Sequence, residues 1–133
     1  MKKCYCCSGM KFEECCDPFL SGNKKPKTAE ALMRSRYSAY AMANVDYIIR
    51  TTHQSKVTFH DAKSIENWAK SNLWQKLEIV FKDHGNVEDS IGIVEFKAQY
   101  LDLQLQTHIH HERSNFKKES SEWFFVDGKI VAN

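Results

Sequence analysis

With 133 residues, 42% of them hydrophobic and 12% aromatic, the chain has the size and make-up of one folded domain, or of one domain carrying a small appendage, and not of a disordered tail. Its formal net charge of +2 is too small to point to a polyanionic partner by itself. No stretch approaches the roughly 18 apolar residues that crossing a bilayer takes, so no membrane segment is expected.

All five cysteines, Cys4, Cys6, Cys7, Cys15 and Cys16, fall within the first sixteen residues. Such clustering implies either a metal site or a disulfide knot. Met1 is followed at once by Lys2, Lys3 and Cys4, with no hydrophobic signal segment ahead of the cluster. A cytoplasmic, reducing setting is therefore expected, where thiolates bind metal rather than one another. Zinc takes four soft donors in a tetrahedron. Cys4-x-Cys6 can supply one pair and Cys15-Cys16 the other, across eight intervening residues in which Ser8-Gly9 turns the chain and Phe12 offers an apolar anchor. A Cys4-x-x-Cys7 pairing is sterically reasonable as well, and four thiolates suit iron as they suit zinc. Four protein donors close the shell to water, which makes the site structural rather than catalytic.

The stretch Cys4-Tyr-Cys6-Cys7-Ser-Gly-Met-Lys-Phe-Glu-Glu-Cys15-Cys16 resembles the SEC-C zinc motif, whose usual form is Cys-Pro-Cys-Gly-Ser-Gly-Lys followed by a late Cys-Cys or Cys-His. The resemblance puts Cys4, Cys6, Cys15 and Cys16 on the ligand positions. Cys7 falls on a glycine of the motif, as a free thiol, and Tyr5 on a proline. In the preprotein translocase SecA, knuckles of this kind contact a chaperone partner and the ribosome. Residues 1–27 here hold six lysines, at 2, 3, 11, 24, 25 and 27, against Glu13, Glu14 and Asp17. That bias suits an acidic protein or ribosomal RNA, although ordinary solvated lysines account for it more simply.

After Cys16, residues 18–27 contain Pro18, Gly22 and Pro26 and read as a connector without regular structure, pinned by Phe19 and Leu20. Thr28 is a good N-cap, and Leu32, Met33, Arg36, Tyr37, Tyr40 and Ala41 recur at helical spacing, predicting a helix over 29–43. Asn44 caps a second over 45–53, with Tyr47, Ile48 and Thr51 on one face. Asp61 caps a third over 62–72, with Ile65, Trp68 and Ala69 as its stripe. The period then changes to two. Leu77, Ile79 and Phe81 make one strand, ended by a turn at His84-Gly85-Asn86. Val94, Phe96, Ala98 and Tyr100 make the next. Ile91 and Ile93 stand out of phase with it around Gly92, which predicts a bulge there. Leu103, Leu105, Thr107, Ile109 and His111 form a third run and Trp123 to Val126 a fourth, after which Asp127-Gly128 is expected to turn the chain into Lys129-Ile130-Val131. Three helices followed by a curved antiparallel sheet is an α+β plan.

The resemblance widens at this point. Pro18-Phe-Leu-Ser-Gly22, Thr28-Ala-Glu-Ala-Leu-Met-Arg-Ser-Arg-Tyr-Ser-Ala-Tyr40, Arg50-Thr-Thr-His53, His111-Glu-Arg-Ser-Asn-Phe116 and Trp123-Phe-Phe-Val-Asp-Gly128 resemble the YchJ family of bacterial proteins, in family order. That resemblance implies a nuclear-transport-factor-2-like cone, three helices wrapped by a bent sheet, and a family that is largely uncharacterised.

Cones of this kind often enclose a pocket. Arg36 shares the inward stripe of its helix and needs an acidic partner, for which Glu112 or Glu95 would serve, or an anion-binding cavity. His111 and Arg113 fall on the expected inner face of their strand, with His108, His110 and Glu112 outward. His53 closes the second helix, and a His53–His111 pair would suit proton transfer. Satisfied core histidines are the blander explanation. Serine elbow, phosphate loop and HExxH motifs are absent from the sequence.

The expectation is therefore a zinc knuckle over residues 1–17, a connector over 18–27 and an α+β cone over 28–133. It reads as a non-enzymatic adaptor contacting a protein or ribosomal partner through the basic knuckle. The alternative is a small-molecule binder or enzyme using Arg36, His53, His111 and Arg113. A homodimer through the sheet is left open.

Overall fold

The computed structural model describes residues 2–132, the side chain of Phe59 excepted. Among the described residues there are four α-helices, α1 (Asp17–Leu20), α2 (Ala29–Ala41), α3 (Val45–Arg50) and α4 (Ala62–Lys70). One four-stranded sheet follows, β1 (Leu73–His84), β2 (Ile91–Leu101), β3 (Thr107–Glu119) and β4 (Glu122–Ile130), antiparallel throughout and in sequence order. None of the helices is long and apolar enough to cross a membrane.

The three long helices start where their caps dictate. Thr28 Oγ1 accepts from Ala31 N at 3.0 Å, Asn44 Oδ1 from Tyr47 N at 3.1 Å and Asp61 Oδ2 from Ser64 N at 3.0 Å. The connector is not irregular: its first three residues, with Asp17 ahead of them, form α1, which Pro18 favours by its fixed φ at the first turn. Helix α3 stops at Arg50 rather than at residue 53. Thr51 and Thr52 turn their hydroxyls back onto Tyr47 O (2.7 Å) and Ile48 O (2.8 Å), and Thr52 leaves the helix to bridge Phe125 on β4.

Helix α2 lies between the cysteine-rich segment and the concave face of the sheet, and is buried on more than one side. Leu32, Met33, Arg36 and Tyr37 are buried as expected, and so are Ser35, Ser38 and Ala39. The two serines are satisfied there: Ser35 Oγ lies 2.6 Å from Tyr47 Oη, and Ser38 Oγ 3.6 Å from Cys4 Sγ.

The sheet bends at places other than the one expected. Residue 92 pairs in register with both neighbours, so Ile91–Gly92–Ile93 contains no bulge. Ile91 and Ile93 belong to the outer face, and Gly92 to the inner face with Val94, Phe96 and Ala98. Glycine is needed because a Cβ there would stand 2.5 Å from Gly85 Cα and 3.1 Å from Ala29 Cβ, where the start of α2 seats on the first hairpin. The register shifts lie on β1, between Trp74 and Lys76 and between Ile79 and Phe81, and at Val126 on β4. Strand β3 begins at Thr107, not Leu103. Leu103 and Leu105 are 73% and 69% exposed in the preceding loop. Nor does the chain turn at Asp127-Gly128, since both residues pair with β3 and the strand runs on to Ile130.

Candidate metal centre and the cavity of the cone

The N-terminal segment folds as a tight hairpin, with Lys3 paired to Lys11 and Cys4 N donating to Met10 O at 2.8 Å. A single 3₁₀ turn at Phe12–Glu14 then brings Cys15 and Cys16 back over Cys4 and Cys6. The Sγ atoms of Cys4, Cys6, Cys15 and Cys16 all lie within 4.8 Å of one another. Cys6 and Cys15 are 3.6 Å apart, and Cys15 and Cys16 4.0 Å. A tetrahedron with metal–sulfur bonds of ~2.3 Å has edges of about 3.8 Å, so the donor set fits one tetrahedral ion. Cys4, Cys6 and Cys16 are buried and Cys15 half-buried, which leaves little room for a water ligand. Cys7 points away from the group. Its sulfur accepts from Leu77 N at 3.5 Å, and its backbone, at φ 63°, takes the left-handed turn for which glycine is best suited.

The thiols lie close enough to share protons. Hydrogen bonding from Cys16 holds Cys6 down at about 4 against the effect of burial. Cys16 is pushed well above the ordinary thiol range by sharing its proton with Cys6 and by burial, and burial drives Cys15 up to about 11. Four sulfurs this close cannot all ionise unaided, and a bound cation would supply the missing charge. Arg34 braces the knuckle from α2 by donating to Cys6 O at 2.8 Å while pairing with Glu30 at 2.9 Å.

Between α2, α4 and the sheet lies a cavity of about 210 Å³. Its wall is largely aromatic, with Tyr40, Trp68, Trp74, Phe96 and Phe125 among its members, and Arg36, His60, His110, Glu112 and Ser114 supply the polar groups. Of the four pocket residues expected from sequence, Arg36 alone lines it. Strand β3 presents the opposite face to the one anticipated: His110, Glu112 and Ser114 point into the cone, whereas His111 and Arg113 lie on the outer face around Glu95, at 2.7 Å and 3.7 Å. The expected phase followed Leu103 and Leu105, which belong to the loop. The buried Phe116, two residues beyond Ser114, carries the true phase. His53 and His111 do not meet. His53 Nε2 lies 2.9 Å from Glu119 Oε1, outside hydrogen-bond alignment.

Arg36 is 4% exposed, and neither Glu112 nor Glu95 pairs with it. Its Nη1 donates to Ile48 O (2.9 Å), Thr51 Oγ1 (2.8 Å) and Thr52 Oγ1 (3.3 Å), one carbonyl and two hydroxyls at the C-terminal end of α3. Its guanidinium lies 4.5 Å from the Phe125 ring centre. Burial depresses its pKa, opposed by the fields of Tyr40, Tyr47 and Glu112. Glu112 receives His110 Nε2 at 2.8 Å on Oε1 and Ser114 Oγ at 2.6 Å on Oε2. Burial works against its ionisation, but these two donors hold its carboxyl below the ordinary carboxylate range. A Cβ on Gly128 would fall 2.0 Å from Glu112 Oε2, so the carboxylate sits where only a glycine on β4 lets it.

This fold and site define a class: a cysteine knuckle of the SEC-C kind built onto a nuclear-transport-factor-2-like α+β cone. The chain belongs to the YchJ family, whose middle nuclear-transport-factor-2-like domain matches residues 28–128. It is 42% identical over 125 residues to the UPF0225 protein GSU1048 of Geobacter sulfurreducens, covering 94% of this chain and 77% of that one. A UPF0225 protein of Actinobacillus succinogenes is 38% identical, with 96% and 81% covered. Among solved structures, the SEC-C motif containing protein RPA3114 of Rhodopseudomonas palustris superposes with a TM-score of 0.89 at 34% identity over 97% of this chain and 98% of its own. A SEC-C motif containing protein of Psychrobacter arcticus gives 0.79 at 32% identity over 95% and 76%.

Proposed function

We propose that the chain is a non-enzymatic binding protein in which one structural zinc ion, held by Cys4, Cys6, Cys15 and Cys16, shapes a basic knuckle for contact with a protein or ribosomal partner. The observation that carries this reading is the gathering of four sulfurs within 4.8 Å, mostly buried. A closed tetrathiolate shell leaves no position for substrate and serves to fix structure. What it fixes is the hairpin on which Lys2, Lys3 and Lys11 are exposed, Lys3 and Lys11 side by side, with Met10 half exposed beside them. Positive charge around an apolar contact suits an acidic surface.

Co-sedimentation with ribosomes across a salt series tests the contact. Wild type should pellet at low salt and be released as salt rises. The triple variant Lys2→Glu, Lys3→Glu, Lys11→Glu should bind about tenfold more weakly or worse. Equal pelleting of wild type and triple variant, or none by either, would remove the ribosomal reading.

The cone supports a second reading, as a small-molecule site. It contains an open cavity in which a buried arginine lacks a carboxylate partner among the described residues.

A further inference from the structure

The cavity of the cone is polarised in a way that specifies its guest. All the hydrogen bonds Arg36 makes among the described residues leave from Nη1. Its Nε and Nη2 have no protein acceptor there, although the residue is 4% exposed and lines the cavity. The carboxylate that shares the space is differently placed, because Glu112 already receives His110 on one oxygen and Ser114 on the other. The cavity thus presents an unmatched cation and a matched anion. Its walls are flat rings: Trp68 and Trp74 meet at 4.8 Å, Tyr40 packs edge-on to Trp68 at 5.6 Å, and Phe125 stacks on the guanidinium. Tyr40, Trp68 and His110 are only half-buried, so the space communicates with solvent.

Resting on the reading of the cone as a ligand site, we propose that it binds a small single-ring aromatic acid, its carboxylate taken by the free edge of Arg36 and its ring held between the aromatic walls. The size agrees. About 210 Å³ exceeds the ~150 Å³ that accommodates benzene and leaves room for one compact substituent, not for a second fused ring with its own polar groups. The charge agrees too. Arginine binds a carboxylate through two parallel N–H donors, a geometry the Nε–Nη2 edge provides. Aromatic walls would also suit an organic cation. A cation here would face buried Arg36 and find the oxygens of Glu112 already engaged.

Benzoate, benzylamine and toluene are the probes, titrated into the protein and followed by the fluorescence of Trp68 and Trp74. Benzoate should bind at least about tenfold more tightly than either of the others, the difference expected of a charge-assisted pair. Arg36→Gln should retain toluene and lose the preference for benzoate. Arg36 also caps α3, so Arg36→Lys, which keeps the charge and loses the paired donors, provides a variant better able to fold, with the benzoate preference reduced. Ala98→Phe, placed at a buried wall position, should fill the cavity and abolish binding of all three. Toluene or benzylamine binding as tightly as benzoate would overturn the acid specificity while leaving the ligand site standing. Failure of all three to bind, or binding unchanged by Ala98→Phe, would overturn the ligand site itself.

Discussion

Glu112 shows how single residues set the interior of the cone. It faces the cavity, is held by His110 and Ser114, and needs Gly128 opposite it because a Cβ there would collide with its carboxylate. A carboxylate depressed in the folded state contributes stability above its unfolded pKa and loses it as pH falls through the folded value. For Glu112 that contribution is complete above the ordinary 4.5 and disappears in the window below it. Urea denaturation of wild type and Glu112→Gln between pH 7 and pH 3 should show the variant less stable at pH 7 and the gap closing under acid. A gap that stays constant down to pH 3 would mean that the ionised form is not what the fold uses.

Among the elements, the second half of the sheet is phased by long-range pairing more than by its own hydrophobic pattern. Ser120 and Ser121 join β3 to β4 as a two-residue turn with φ of 51° and 66°, both left-handed. That conformation favours Asn-Gly, and serine pays a conformational cost in it. Replacing Ser120-Ser121 by Asn-Gly should raise the unfolding free energy by about 0.5–1 kcal/mol, read from the urea midpoint. No gain, or a loss, would mean that the turn seen here does not persist in solution. The β1 and β4 bulges act at the same scale, re-aiming side chains so that Phe81 leaves the inner face while Ile79 stays on it.

For the molecule as a whole, the decisive feature is that knuckle and cone share one core. Cys4, Cys6 and Cys16 are packed in the same cluster as Leu32, Tyr37, Val94 and Trp123, with Tyr5 and Phe12 against it. Losing the metal should therefore loosen the cone, not merely fray one end. Native mass spectrometry should find one zinc, retained by Cys7→Ser and lost by serine at 4, 6, 15 or 16. Chelation should lower the melting temperature in a single transition and reduce the unfolding free energy by several kcal/mol, a fraction of the ~10–16 kcal/mol with which structural zinc binds small domains. Loss of metal in Cys7→Ser would transfer a ligand role to that residue. A melt indifferent to chelation would separate knuckle from cone.

Caps, periods and spacings are local, and they carried the reading where physics is local. Thr28, Asn44 and Asp61 announce their helices, the four cysteines sit in a pattern that a short hairpin can close, and the family motifs match in order. Long-range contacts decided the rest. Which face of β3 looks inward turned on Phe116 rather than on Leu103 and Leu105, because strand pairing, not hydrophobicity, fixes where a strand begins. Gly92 and Gly128 read as a bulge and a turn, yet each is a close approach, to Gly85 and Ala29 and to Glu112, residues distant in sequence. Arg36 could be seen to point inward. That its partners would be the carbonyl and hydroxyl groups at the end of α3, leaving one edge free toward an aromatic cavity, depended on how helix, helix and sheet come together in space.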